Sequence, residues 1–173
     1  LLSKSTIGQD KNQMICFFKI GESIEKYKDV ISCAENDSTS KYVSNSTCRA
    51  YRYLPAEKDS ISIGNINFGI VFLHPNIQKE ISTISFIRNI ISKDSTQLRI
   101  EIEKEYKILT NFIDSLYKIK GSKLNIEESE FYTEESMIWK INNVTTCLKK
   151  NISTKRKSKK KILYINTLNL SIY

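Results

Sequence analysis

The chain has 173 residues, 40% hydrophobic and 27% charged, and this ordinary globular composition excludes wholesale disorder. The length predicts one domain, residues 1–173, and because no run approaches 18 apolar residues we predict no membrane span. The net charge of +8 equals the number of cations in the acid-free basic segment, residues 149–161, so the rest of the chain is neutral and offers no general basic surface.

The N-terminal third is predicted to be a loose arm followed by a helix. Residues 1–12 are polar and lack periodicity, which predicts the arm. Between Met14 and Cys33, apolar residues recur at helical spacing, which predicts an amphipathic helix. The chain begins at Leu1 rather than at Met, and we interpret it as a mature form whose signal peptide has been removed. The apolar stripe comprises Cys16, Ile20, Ile24, Tyr27 and Ile31.

The spacing of the apolar residues changes twice in the middle of the chain. From Ser60 to Phe72, isoleucines and phenylalanines alternate about Gly64-Asn65, which predicts a β-hairpin, with a buried helix as the alternative. Asn76 then resembles a helix cap, and a stripe of isoleucines predicts a second helix that ends near Lys93. The stripe comprises Ile77, Ile81, Ile84, Ile87 and Ile91.

Two more helices are predicted in the second half. Asp94 and Gln97 resemble a capping box for the longest helix, which we expect to end at Gly121. A last helix is predicted after Asn125, with several glutamates near its N-terminus. The inner face of the longest helix comprises Leu98, Ile102, Tyr106, Leu109, Ile113 and Leu116, and that of the last comprises Phe131, Ile138, Ile141 and Leu148.

The elements together predict a mainly α fold: a disulfide-stapled bundle of about four helices, with a small β-hairpin around residues 60–72. The C-terminal residues 162–173 are rich in β-branched and aromatic residues. They are expected to pair with that hairpin or to pack as an extended arm.

Four cysteines, Cys16, Cys33, Cys48 and Cys147, include no close pair of the kind that zinc sites use, so their even number predicts two disulfides. If the first helix is continuous, Cys16 and Cys33 lie about 25 Å apart and cannot bond. Cys16–Cys48 with Cys33–Cys147 then competes with Cys16–Cys147 and Cys33–Cys48. We favour the second pairing, because closing the loop between Cys33 and Cys48 contributes about 3 kcal/mol. A break at Gly21 would reopen the excluded pairing.

Five N-glycosylation sequons support the same extracellular location as the disulfides. Random placement of the Asn, Ser and Thr residues would give about 2.6 sequons, so five is a mild enrichment. The cysteines therefore supply half of the argument for an extracellular location. Both features predict a protein outside the reducing cytosol. The sequon asparagines are Asn36, Asn45, Asn143, Asn151 and Asn169.

Residues for catalysis are few. His74 is the only histidine, with no partner implied by spacing, and a structural role is the simpler interpretation. The acids between Glu127 and Glu135 are explained by a solvated helix face. Since no nucleophile, phosphate-loop or metal-binding motif is present, we predict no catalytic residue, no cofactor and no metal.

The basic segment is the sharpest functional feature. Clustered cations can neutralise several phosphates, sulfates or anionic lipid heads, so a heparan-like glycan or a nucleic acid is a candidate partner. A solvated loop that only adds solubility is the alternative. The candidate anion-binding residues are Lys155, Arg156, Lys157, Lys159, Lys160 and Lys161.

The order of cysteines and tyrosines carries a family resemblance. Cys16, Tyr27 and Cys33 match one cysteine-tyrosine-cysteine motif, and several tyrosines stand between Cys48 and Cys147. In a chain rich in Lys, Ile and Asn, this order resembles the bicycle proteins of gall-forming aphids, which are named for two such motifs. The resemblance implies a non-enzymatic effector that is injected into a plant host.

The sequence thus predicts a secreted, non-enzymatic effector or binding protein that acts through its surface on a foreign or host protein. A helical cytokine-like ligand or antagonist is the alternative. A polyanion-binding module that uses the basic segment is the third reading. An enzyme would need a polar pocket around His74.

Overall fold

The protein is mainly β. The structure, a computed structural model, describes residues 17–34, 48–124, 126–128, 132–153, 156–158 and 161–173. The strands are β1 (Ile31–Cys33), β2 (Tyr51–Tyr53), β3 (Ile61–Ile63), β4 (Ile66–Phe68), β5 (Ile70–Pro75), β6 (Ile81–Ser92), β7 (Ser122–Lys123), β8 (Glu127–Glu128), β9 (Tyr132–Ile141), β10 (Val144–Ser153), β11 (Arg156–Ser158) and β12 (Lys161–Ile172). The helices are α1 (Pro55–Lys58), α2 (Ser95–Tyr117) and a 3₁₀ turn at Ile24–Tyr27.

An antiparallel sheet organises these elements. Its strands lie in the order β1-β2-β5-β6-β12-β10-β9-β7, while β8 also pairs with β9 and β11 with β12. The strands β3 and β4 form a separate hairpin about Gly64-Asn65. The predicted four-helix bundle is therefore wrong, because only α2 is a long helix among the described residues.

The helix predicted over residues 77–93 is strand β6. Ile77 is 96% exposed in the turn before it. Within β6, Ile84 lies on one face of the sheet and Ile87 and Ile91 on the other, since side chains alternate along a strand. Apolar residues on both faces of a strand produce helix-like spacings by coincidence. The Ile and Thr content of the segment suits a strand, and pairing with β5 and β12 decides the outcome.

Two other predicted helices are wrong for related reasons. Between Met14 and Cys33 the described residues form the 3₁₀ turn and β1, and Gly21 has a positive φ of 83° that interrupts a helix. The last predicted helix is the hairpin of β9 and β10, whose turn contains Asn142 at a φ of 52°. The loose arm predicted for residues 1–12 lies outside the described residues.

The longest predicted helix is present as α2. The Asp94 side chain caps it by accepting hydrogen bonds from the backbone N–H groups of Thr96 and Gln97, at 2.8 and 3.1 Å. The helix ends at Tyr117, before the predicted Gly121, because Lys118 takes the left-handed conformation. No helix among the described residues combines the length and apolar character needed to cross a membrane.

The sheet has two unlike faces. Helix α2 and the hairpin of β3 and β4 pack on one, which we call the helix face, and the apolar core lies between them. Phe68 of β4 contacts Phe86 of β6 there, with ring centroids 5.9 Å apart. The C-terminal strand β12 lies centrally between β6 and β10, not beside the predicted hairpin.

The opposite side of the sheet is the outer face. Its side chains alternate with those of the helix face along each strand. On the central strands it comprises Ser85, Ile87, Asn89 and Ile91 of β6, Ile165, Thr167, Asn169 and Ser171 of β12, Thr145, Cys147, Lys149 and Asn151 of β10, and Glu134, Ser136, Ile138 and Lys140 of β9.

Candidate functional site: the basic hairpin tip

The described residues of the basic segment lie in a β-hairpin. Strands β10 and β12 pair from Thr146↔Ile172 to Ile152↔Asn166. Beyond that point, β11 continues the hairpin by pairing Arg156 with Leu163 and Ser158 with Lys161. We call residues 154–163 the hairpin tip.

The described part of the hairpin tip, strand β11 and residues 161–163, extends past strand β6. That flanking strand ends its pairing with β12 at Ser92↔Tyr164. On the other side, the last described pair of β9 with β10 is Tyr132↔Ser153.

Lys149 and Lys150, the first two cations of the basic segment, are already paired. Lys149 donates to a carboxylate oxygen of Glu134 at 2.8 Å, and this bond raises the pKa of Lys149. The ammonium of Lys150, a residue only 5% exposed, lies on the helix face, 2.7 Å from both carboxylate oxygens of Glu103 and 3.0 Å from Glu135. Lys150 is therefore buried by the fold and not available to an external anion, whereas the Lys149 side chain is 45% exposed and is paired with Glu134.

Six of the eight excess positive charges therefore belong to the hairpin tip. No acidic residue follows Glu135 in the sequence, and six cations lie within residues 155–161. The structure places the backbone of Arg156, Lys157 and Lys161 in the paired tip. The candidate residues Lys155, Lys159 and Lys160 lie outside the described residues.

The sequence could have revealed the pairing of Lys149 and Lys150. Two consecutive asparagines between Ile141 and Val144 are a turn signal, and a two-residue turn there sets Lys149 and Lys150 beside the strand that contains Glu134 and Glu135. We missed it because the segment was interpreted as a helix.

One disulfide prediction is confirmed. Cys33 and Cys48 are bonded, with their Cα atoms 5.9 Å apart, and they attach β1 to the chain before β2. Cys147 is a buried free thiol on β10, and burial raises its pKa. Its predicted partner, Cys16, lies outside the described residues, so that pairing stays a prediction.

The sequons fall in different places. Asn143 is exposed in the turn between β9 and β10, while Asn151 and Asn169 lie on the outer face of β10 and β12. Asn36 and Asn45 lie outside the described residues.

His74 lies in β5, opposite Thr83 of β6. It is half-buried, and this burial lowers its pKa. In the described part of the chain, no group of three or more potential metal ligands occurs.

A further polar cluster, missed in the sequence, joins the end of α2 to β9. Asp114 accepts hydrogen bonds from the indole N–H of Trp139 at 2.8 Å and from the backbone N–H of Gly121 at 3.0 Å, and its second oxygen lies 2.9 Å from the Lys120 ammonium. It borders a shallow depression of about 280 Å³ at the C-terminal end of α2. Since Trp139 is 1% exposed, we interpret the cluster as structural: it holds the end of α2 against β9.

Comparison with known proteins adds no relative: no family model, no curated protein and no solved structure matches this chain.

Proposed function

We propose that this chain is an exported, non-enzymatic binding protein that holds a heparan-like anionic polysaccharide through the cations of its hairpin tip. The observation that supports this proposal is that the cations of the basic segment fall into two groups. Lys149 and Lys150 are bound by carboxylates of the fold, whereas the other six cations belong to a stretch of sequence without acids, in which the backbone of Arg156, Lys157 and Lys161 is paired beyond the end of β6. Cations held close together release counterions from a polyanion and so gain affinity.

Export is supported by the bond between Cys33 and Cys48, since disulfides persist in oxidising compartments. An extracellular protein meets sulfated and carboxylated polysaccharides, which favours a glycan over a nucleic acid as its polyanion.

The test compares two variants of equal charge. In the tip variant, Lys159, Lys160 and Lys161 are replaced by Gln. In the control, three exposed cations of α2 are replaced by Gln, so that the net charge falls by the same amount. The control positions are Arg99, Lys104 and Lys107.

Binding to immobilised heparin is measured between 50 and 300 mM salt, roughly the range over which such contacts are screened. At about 1 kcal/mol per cation near an anionic surface, the tip variant should bind about 100-fold more weakly. Its slope of log affinity against log salt should fall by about 3. The control variant should bind like the parent chain.

Equal weakening of both variants would contradict the proposal, because affinity would then follow net charge and not the tip. Tighter binding to a duplex oligonucleotide than to heparin at the same salt concentration would favour nucleic acid and overturn the choice of a glycan.

A further inference from the structure

Within the described part of the chain, helix α2 and the hairpin of β3 and β4 pack on the helix face of the sheet and not on its outer face. Ile87, Ile138 and Ile165 are half-buried there, and Ile91 is 59% exposed. The described side chains of α2 and β4 instead contact the helix face, as in the pair of Phe68 with Phe86. Apolar side chains on an exposed sheet face favour association unless something covers them.

Two sequons lie at the centre of this face. Asn169 sits in the central strand β12, directly between Ile87 of β6 and Lys149 of β10. Asn151 of β10 pairs with Thr167, two residues before Asn169. The two asparagines are therefore diagonal neighbours on one face, about 7–8 Å apart.

The hydrogen bonding of Asn169 leaves its modifiable atom unused. Its Oδ1 accepts from the Ser171 hydroxyl at 3.0 Å, and its Nδ2, the atom that would carry a glycan, donates no hydrogen bond within the described part of the chain. In contrast, Asn166 of the same strand is 1% exposed on the helix face, where its Nδ2 lies 3.5 Å from the Leu98 carbonyl oxygen.

We infer that Asn151 and Asn169 both carry N-linked glycans, and that these two glycans are the cover of the outer face. A glycan is bulky and solubilising, and one attached at either position extends from the middle of the sheet over the neighbouring isoleucines. The outer face is then closed to protein partners. This inference rests on the export proposed above.

Site occupancy is measured on the full chain, with a C-terminal affinity tag, secreted from mammalian cells. Trypsin cleavage after Lys150, Lys155 and Lys161 places Asn151 and Asn169 on separate peptides. We expect both peptides to carry glycans, and each of the variants Asn151→Gln and Asn169→Gln to lose one. The control Asn89→Gln changes an outer-face asparagine without a sequon and should lose none. Unmodified Asn151 and Asn169 in secreted protein would overturn the inference.

The covering role is measured by light scattering and by binding of a hydrophobic dye. The double variant Asn151→Gln/Asn169→Gln should bind more dye and self-associate as its concentration rises. Since retention of that variant in the cell would prevent its measurement, the folded parent protein is also trimmed with an endoglycosidase, which should have the same effect. Trimmed protein that stays monomeric and binds no additional dye would overturn the covering role.

The same preparations separate this inference from the proposed function. Secreted protein that contains the Cys33–Cys48 bond and binds heparin, but carries no glycan at Asn151 and Asn169, refutes only the glycan cover. Secreted protein that carries both glycans but shows no dependence of heparin binding on the hairpin tip refutes only the polysaccharide proposal.

Discussion

Replacing Asp114 by Ala should destabilise the protein strongly, because the substitution leaves buried donors without an acceptor. The indole N–H of Trp139, a residue 1% exposed, would lose its bond, which costs about 1–3 kcal/mol. The half-buried N–H of Gly121 would lose its bond too. The 88% exposed ammonium of Lys120 should contribute little. We expect a total loss of about 2–4 kcal/mol in the free energy of unfolding.

Urea denaturation followed by far-ultraviolet circular dichroism measures this loss. Lys120→Gln is the matched control and should change the free energy of unfolding by less than about 0.5 kcal/mol. In the double variant Asp114→Ala/Trp139→Phe, no indole N–H is left unpaired, so the loss should be smaller than the sum of the single losses by about 1–2 kcal/mol. Additive losses would refute the reasoning, because they would show that the two side chains act independently.

The same cluster predicts a pH dependence. Burial raises the pKa of Asp114, but hydrogen bonds from Lys120, Trp139 and Gly121 outweigh it, so the pKa lies below its ordinary value. The carboxylate therefore contributes stability above about pH 4, and this contribution is lost as the pH falls through the lowered pKa. The stability difference between the parent chain and Asp114→Asn should shrink from pH 6 to pH 3, a range of about three units around that ordinary value. A constant difference would contradict this assignment.

Two further changes test the packing and the disulfide by urea denaturation. Gly121→Ala would place a Cβ 2.6 Å from the Trp139 ring and should lower the free energy of unfolding by about 1–3 kcal/mol. The control Gly69→Ala, whose Cβ would meet its nearest atom at 4.0 Å, should lower it by less than about 1 kcal/mol. Equal losses would contradict the overpacking argument. Replacing Cys33 and Cys48 together by Ser opens a loop with a sequence separation of 15 residues and should cost about 3 kcal/mol, so a loss below about 1 kcal/mol would show that the bond does not constrain the unfolded chain as assumed.

Features encoded by neighbouring residues could be predicted from the sequence. The cap at Asp94 and the apolar stripe from Leu98 to Ile113 predict α2, because a helix is built from contacts within a few residues. The hairpin about Gly64-Asn65 and the Cys33–Cys48 bond are likewise short-range features. The basic segment was also visible as a run of cations.

The tertiary structure decided what depends on distant partners. The isoleucines of β6 fit either a helix or a strand, and pairing with β12, more than 70 residues away in sequence, selects the strand. Lys150 is one of the eight cations of the basic segment, and only the packing of α2 on the sheet buries it and brings Glu103 to it. The shared face of Asn151 and Asn169 likewise exists only because β10 and β12 pair in one register. Structure formed by neighbouring residues could thus be predicted from the sequence. The fold class and the pairing of the charged side chains could not, because they depend on contacts between residues that are distant in the sequence.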